Sequence, residues 1–238
     1  FYYDSVGDSA VSPVKLVHTA NGGFLAPSDS MIVQFNWQTT AKGKIPIICL
    51  VDFPSDQRIS NNTIFFSGVN KFSPQSVVIN EILYEPLAGN SEFIELFNRT
   101  ADTVDVQGWK IMDSPSSSGN RIQFPKESLL LLPNHFLVIA ADSSFFAQYP
   151  FLKASTGGLT LVTHKDLSLN NSGDDVVLAD QTNTTIDSLR YSPSWHNPSL
   201  NTSTVGKSIE RINPSFGSND KRNWSTSVSP SGATPLQT

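Results

Sequence analysis

The chain has 238 residues, with 16 basic and 21 acidic side chains and a formal net charge of −5 at pH 7. This acidic balance argues against nucleic acid or an anionic membrane surface as a partner. The lone cysteine, Cys49, excludes an intrachain disulfide and a cysteine-based zinc site, and no stretch approaches the ~18 consecutive apolar residues of a membrane-spanning helix.

The first third of the chain predicts short strands separated by Gly- and Asn-containing turns. The predicted strands are residues 14 to 19, 31 to 38, 45 to 53 and 63 to 68. In the second of them Val33, Phe35 and Trp37 share one face, because successive side chains alternate across a strand, and that face is expected to be core. Short apolar runs without helical periodicity predict an all-β fold.

A domain boundary is expected at residues 73–76, a linker where a Ser-Pro pair interrupts the strand series. Residues 1–72 then form one domain, residues 77–224 a second, and residues 225–238 a flexible tail rich in Ser, Pro and Gly. The strands predicted in the second domain are residues 77 to 84, 92 to 98, 109 to 113, 136 to 141, 160 to 162, 176 to 179, 185 to 191 and 207 to 212. Eight strands over this length suit one β-sandwich.

The segment from Val77 to Asn98, VVINEILYEPLAGNSEFIELFN, resembles the opening of a lamin tail domain of the bacterial type. Later segments agree in order, and the resemblance spans residues 76–238. It implies an immunoglobulin-like β-sandwich without a recognised catalytic site, attached in bacteria to secreted or surface proteins. The structural and motif positions singled out in it are Asn80, Glu81, Glu95, Asn98, Trp109, Gly173, Asp174, Trp195 and Trp224.

The first third resembles a bacterial adhesion-type (CARDB-like) immunoglobulin-like domain, through residues 24–30, 33–37 and 61–63. Such domains usually begin with further strands, and this chain starts within the apolar run Phe1-Tyr2-Tyr3. The fold expected overall is therefore two immunoglobulin-like sandwiches, the first of them incomplete at residues 1–72. An incomplete sandwich exposes a strand edge, which predicts a possible dimer through strand addition.

Acidic side chains cluster at Glu81, Glu85, Glu92 and Glu95, where paired carboxylates could serve acid–base catalysis or bind a hard cation. Glu81 and Glu95 alternate with apolar neighbours, which instead favours solvent-facing or hydrogen-bonded sheet residues. No histidine lies nearby to activate a nucleophile. We therefore predict no catalytic residue, no cofactor and no metal ligand in this cluster.

The segment from Asn170 to Asp175 is also rich in oxygen ligands, but it lacks the spacing of an EF-hand loop. A tight turn fits better, with Gly173 at positive φ and the Asp174 side chain bonding the turn backbone. The histidines are dispersed and have no metal-ligand spacing; they are His18, His135, His164 and His196. A local basic patch predicts a solvated face, since acidic residues dilute it; it comprises Lys207, Arg211, Lys221 and Arg222.

Three tryptophans of the second domain, Trp109, Trp195 and Trp224, are expected to be buried, whereas exposed indoles would indicate carbohydrate stacking. Together these features predict a non-enzymatic interaction or spacer module of a larger bacterial protein, extracellular or at the cell surface, with the export signal upstream of this chain. One alternative is a carbohydrate- or cation-binding accessory module of a secreted hydrolase or nuclease. Another is a fragment of an enzyme whose catalytic domain lies upstream.

Overall fold

A computed structural model describes residues 1–3, 16–113, 122–154, 161–163, 167–200 and 203–237, with the backbone only at 153–154 and 161–163. The chain forms two compact units, Phe1–Lys71 and Phe72–Thr238. The sequence features predicted at residues 14–15, Thr160 and His164 lie outside the described residues.

The first unit is built on a sheet with the antiparallel order β1-β2-β3. Its strands are β1 Tyr2–Tyr3, β2 Gly43–Leu50 and β3 Thr63–Asn70. Strands β2 and β3 pair along their full length, from Gly43 opposite Asn70 to Leu50 opposite Thr63. The buried apolar side chains of β2 are Ile45 and Ile48.

The strand predicted at residues 31 to 38 is not formed. Its side chains do alternate, with Val33, Phe35 and Trp37 half-buried between exposed neighbours. Among the described residues this run has no ladder partner, and an extended segment becomes a strand only when its backbone groups pair with a neighbour. The face expected to be core is therefore only half-covered.

The second unit contains the remaining strands. They are β4 Val77–Leu83, β5 Phe93–Asn98, β6 Val104–Asp105, β7 Lys110–Met112, β8 Ile122–Gln123, β9 Leu130–Leu131, β10 Phe136–Ala140, β11 Leu161–Thr163, β12 Asp174–Ala179, β13 Thr185–Tyr191, β14 Ile209–Arg211 and β15 Trp224–Thr226. The larger sheet has the order β11-β10-β5-β4-β14-β15 and the smaller sheet the order β13-β12-β7-β8, while β6 pairs with β9. Pairing is antiparallel except between β10 and β11.

The core of the second unit lies between the two sheets. Alternate residues of β4 and β5, such as Ile79 and Leu96, meet Leu178 of β12 and Leu189 of β13 in one cluster that contains Trp109. This alternation is what a sheet with one face on a core requires. The all-β fold predicted from the strand series is confirmed, and so is the immunoglobulin-like fold that the resemblance implies.

The outer face of the larger sheet is also covered. A short helix, α1 Phe145–Gln148, and residues 229–237, here named the C-terminal strap, close over Leu83 and Phe93. Ala233 of the strap lies in this second apolar cluster, and Leu236 packs against it. Strands β4 and β5 are consequently buried on both faces.

Two predictions about the boundaries of this unit are wrong. The segment predicted as a flexible tail, 225–238, contributes β15 and the strap wherever it is described, because its small residues let the backbone lie close to the sheet. The segment predicted as a linker, 73–76, also belongs to the unit. The Gln75 backbone N–H donates to the Ile186 carbonyl at 2.6 Å, and Phe72 is part of the core.

No helix in the described part of the chain has the length and apolar character needed to cross a membrane.

Trp109 offers a direct test of the sandwich core. Its ring is fully buried and packs edge-on against Phe72, with centroids 5.0 Å apart. We predict that Trp109→Ala lowers the free energy of unfolding by about 3–5 kcal/mol, since it removes buried apolar area and leaves a cavity. Equilibrium denaturation in urea measures the change.

Phe216→Ala is the matched control, because that ring is 60% exposed. It should change the free energy of unfolding by no more than about 0.5 kcal/mol. A loss below about 1 kcal/mol for Trp109→Ala would contradict the described core.

Candidate functional site

Three carboxyl groups lie side by side on the outer face of the larger sheet. Register places Glu81 of β4 opposite Glu95 of β5 and opposite Glu210 of β14. A bulge in β4 sits between Ile79 and Glu81, and bulges re-aim the side chains that follow them. Glu81 and Glu95 are 1% and 0% exposed, so the solvent-facing interpretation is wrong for both, and the alternative of hydrogen-bonded sheet residues applies.

These carboxyls, here named the carboxyl row, accept hydrogen bonds from the sheet and from the strap. Glu81 Oε1 accepts from Ser208 Oγ at 2.6 Å and from the Thr234 backbone N–H at 2.9 Å. Glu95 accepts from Asn80 Nδ2 at 3.0 Å and from the Leu236 backbone N–H at 2.5 Å. The motif residue Asn80 therefore orients the Glu95 carboxyl.

Burial dominates the electrostatics of the carboxyl row. It raises the pKa of Glu81 to about 8, although the hydrogen bonds from Ser208 and Thr234 oppose the rise. Burial also raises the pKa of Glu95 well above its ordinary value, and the neighbouring charge of Glu81 adds to the effect. Glu81 thus favours the protonated form at neutral pH, and burial shifts Glu95 in the same direction.

A protonated carboxyl at neutral pH has the chemistry of a general acid. Catalysis also requires a substrate within hydrogen-bond reach, and here the strap covers Glu81 and Glu95. Among the described residues, no group of His, Cys, Asp and Glu is arranged to hold a metal ion. The arrangement is suited to holding the strap on the sheet.

A buried ion pair joins the two sheets. Arg211 Nη2 of β14 donates to Asp187 Oδ2 of β13 at 3.2 Å and to Ser218 Oγ at 2.8 Å. Asp187 also accepts from the Ile79 backbone N–H at 2.9 Å, while Arg211 Nε donates to the Ile79 carbonyl at 2.7 Å. The guanidinium lies 5.1 Å from the centroid of the Trp224 ring.

Desolvation acts on both partners of this pair. Burial raises the pKa of Asp187, although Ser218, the Ile79 amide and Arg211 all bind its charged form. Burial lowers the pKa of Arg211 against the attraction of Asp187. A pair of this kind adds little net stability, but losing one partner leaves an uncompensated charge inside the protein.

Sequence reasoning missed this pair and placed Arg211 on a solvated basic face. Arg211 follows Ile209 by two residues on β14, so the two side chains share the inward face. Ile209 belongs to the core. An arginine at an inward strand position was the available signal that a buried acidic partner exists.

Asn98, another motif position, organises the turn after β5. Its Nδ2 donates to the carbonyls of Asp102, Leu131 and Leu132, and its Oδ1 accepts from the Thr100 backbone N–H and hydroxyl. The side chain is fully buried. Asn98 therefore satisfies several backbone groups that would otherwise lie unpaired inside the protein.

The motif positions Gly173 and Asp174 lie at the start of β12. Gly173 has a φ of +111°, and a Cβ at this position would come within 2.7 Å of the Tyr191 carbonyl oxygen, so only glycine fits. Asp174 Oδ2 accepts from the backbone and side-chain nitrogens of Asn170. These contacts shape a turn.

Trp195 and Trp224 lie together, with ring centroids 5.6 Å apart. They are 8% and 4% exposed, and Trp224 Nε1 donates to the Ser218 carbonyl at 2.8 Å. With Trp109 fully buried as well, none of these three indoles presents a face for stacking a ligand.

The model of the Lamin Tail Domain family matches residues 70–193. The chain belongs to the lamin tail domain family. This domain is an immunoglobulin-like, non-catalytic module, in agreement with the described sheets. None of the curated proteins compared with the chain matches it.

The family match ends before β14, whereas the compact unit continues to the C-terminus. The ion pair between Asp187 and Arg211 connects the matched part of the lamin tail domain to the part beyond it. Strand β14, β15 and the strap thus complete the domain in this chain.

We predict that Asp187→Ala destabilises the lamin tail domain by about 3–5 kcal/mol, because it leaves the Arg211 charge unpaired in the protein interior. Asp175→Ala is the matched control, since the Arg190–Asp175 pair is 75% and 43% exposed and should contribute less than about 1 kcal/mol. Urea denaturation at pH 7 compares the two variants. Equal losses for both would contradict a structural role for the buried pair.

Proposed function

We propose that the protein is a non-enzymatic interaction module of a larger bacterial protein, displayed outside the cell, and that its first unit self-associates through β3. The observation that carries the proposal is the apolar edge strand β3, with Ile64, Phe65, Phe66 and Val69 exposed. The low content of charged residues, 16%, in a chain rich in Ser and Thr supports an exported location. The resemblance of residues 1–72 to an adhesion-type domain supports the same assignment.

The enclosed polar groups of the lamin tail domain support the absence of catalysis. The strap covers Glu81 and Glu95, and the interior of the sandwich holds Asp187 and Arg211. Each of these groups makes its hydrogen bonds with other residues of the same chain. The polar clusters with perturbed pKa values therefore serve the fold rather than a substrate.

Strand β3 has the properties of an edge open to strand addition. It pairs with β2, and among the described residues no strand pairs with its other side. Its eight residues, TIFFSGVN, contain no charged side chain and no proline. Natural edge strands commonly carry lysine or proline to prevent pairing with another chain, so β3 lacks the usual protection.

A second copy of the chain is the partner that this edge fits best. Antiparallel pairing of β3 with itself about a twofold axis would satisfy the free backbone groups of both strands at once. Phe65 and Phe66 lie near the middle of the strand, so each would contact the partner strand close to the axis. No charge would be brought against a like charge.

We predict that the full chain forms dimers whose population rises with concentration in sedimentation velocity experiments. Phe65→Lys should weaken association by at least about tenfold, because a lysine on an edge strand disfavours pairing. Phe216→Lys is the matched control, since Phe216 is an exposed phenylalanine outside the first unit. A chain that stays monomeric at all concentrations, or equal loss of association in both variants, would overturn the self-association.

Carbohydrate binding is a second candidate function, and one observation favours it. Half-buried Trp37 lines an open groove of about 780 Å³ together with Gln38, Thr39, Thr40 and Asn70. Aromatic rings beside hydroxyl and amide groups suit the apolar and polar faces of a sugar.

We predict for this candidate that soluble bacterial and plant polysaccharides change the intrinsic tryptophan fluorescence of the chain saturably, and that Trp37→Ala abolishes the change. His18→Ala, on the same unit but away from the groove lining, is the control variant. No saturable change with any polysaccharide would leave the self-association proposal in place and reject this one.

A further inference from the structure

The C-terminal strap lies across three neighbouring strands of the larger sheet. The Thr234 backbone N–H donates to Glu81, the Leu236 backbone N–H donates to Glu95, and Thr234 Oγ1 donates to Glu210 at 2.8 Å. Each member of the carboxyl row therefore holds one polar group of the strap. The contact spans strands β5, β4 and β14.

Few other interactions fix the strap. The Ser208 backbone N–H donates to the Gly232 carbonyl at 2.9 Å, and Ala233 and Leu236 fill the apolar cluster beside α1. Gly232 has a φ of +84°, and a Cβ there would collide with the carbonyl oxygen of Gly206. The strap has no ladder partner among the described residues, and segments held by few backbone hydrogen bonds open more readily than paired strands.

No cation compensates the carboxyl row within the described part of the chain. The ion pairs there join Arg190 to Asp175, Arg211 to Asp187 and Arg222 to Asp220. The groups that face the row from the packed elements are otherwise neutral or themselves acidic. They are Asn80 on β4, Val138 and Ala140 on β10, Ser208 before β14, Tyr149 after α1, and Thr234 on the strap.

We propose that the C-terminal strap is a pH-sensitive latch: it stays docked while Glu81 and Glu95 hold their protons and is released as they lose them. Ionised carboxylates of Glu81 on β4 and Glu95 on β5, beside Glu210 on β14, would repel one another, because Glu81 and Glu95 are shielded from water. The three strands are fixed by their ladders and by the core beneath them. Release of the strap is the smallest rearrangement that exposes the ionised carboxylates to water.

The direction of the pH effect follows from proton binding. In the docked state burial raises the pKa of Glu81 to about 8, whereas an exposed glutamate has an ordinary value near 4.3. The docked state therefore binds more protons between these two values. Its stability is fully present below the lower value and is lost as the pH rises through the higher one.

Amide hydrogen exchange of the full chain tests the latch. After correction for the intrinsic pH dependence of exchange, the opening equilibrium at Thr234 and Leu236 should rise by about tenfold per pH unit between pH 5 and 8 for each proton released. Amides in β5 serve as the internal reference and should keep constant protection. A strap whose protection does not change across this range would overturn the proposal.

Substitutions test whether the pH dependence of strap opening arises from the carboxyl row. Glu81→Gln should reduce the pH slope, and the double variant Glu81→Gln, Glu95→Gln should remove it, because an amide cannot ionise yet still accepts hydrogen bonds. A double variant that folds and keeps the wild-type slope would overturn the proposal. Where the double variant fails to fold, the slope of Glu81→Gln decides in the same way.

Glu92→Gln is the matched control. Burial raises the pKa of Glu92 as well, but its carboxylate accepts from the Leu169 backbone N–H rather than from the strap. This variant should keep the wild-type slope at Thr234 and Leu236. Gly232→Ala should expose the strap amides at every pH, since it displaces the strap without altering any carboxyl.

Discussion

Both faces of the larger sheet must be kept from water, and the rest of the lamin tail domain depends on this constraint. The inner face meets the smaller sheet, and the outer face carries Leu83 and Phe93, which need a cover of their own. Helix α1 and the C-terminal strap provide that cover. In an ordinary two-layer sandwich, polar side chains on the outer face of a sheet are exposed to solvent. Here the strap lies on that face and buries them together with the apolar side chains.

Two polar networks result from this double burial, and they act differently. The pair between Asp187 and Arg211 joins the two sheets through opposite charges, so its loss leaves a charge unpaired. The carboxyl row contains only acids, and burial raises the pKa of Glu81 and Glu95, which favours their uncharged, protonated forms. The first network pairs opposite charges in the interior, whereas the second has no cation beside its acids among the described residues.

The first unit presents the opposite situation. Strand β3 leaves Ile64 and Phe65 in solvent, and the described residues supply no strand for its outer edge. A surface of this kind favours contact with another chain over catalysis. The second unit has its larger sheet covered on both faces. The first unit instead has an edge strand, β3, that is open to pairing.

Local sequence determined the all-β class, eight of the twelve strands described in the lamin tail domain and the burial of Trp109, Trp195 and Trp224. Alternation along a strand depends only on backbone geometry, and the turn at Gly173 depends on a residue without a Cβ. Tertiary structure decided which faces are covered. Glu81 and Glu95 have the alternation of solvent-facing residues, and only a strap 141 to 153 residues further along the chain buries them. Arg211 meets Asp187, and residues 225–237 become part of the sandwich, for the same reason: contacts between segments distant in sequence carry no local periodicity.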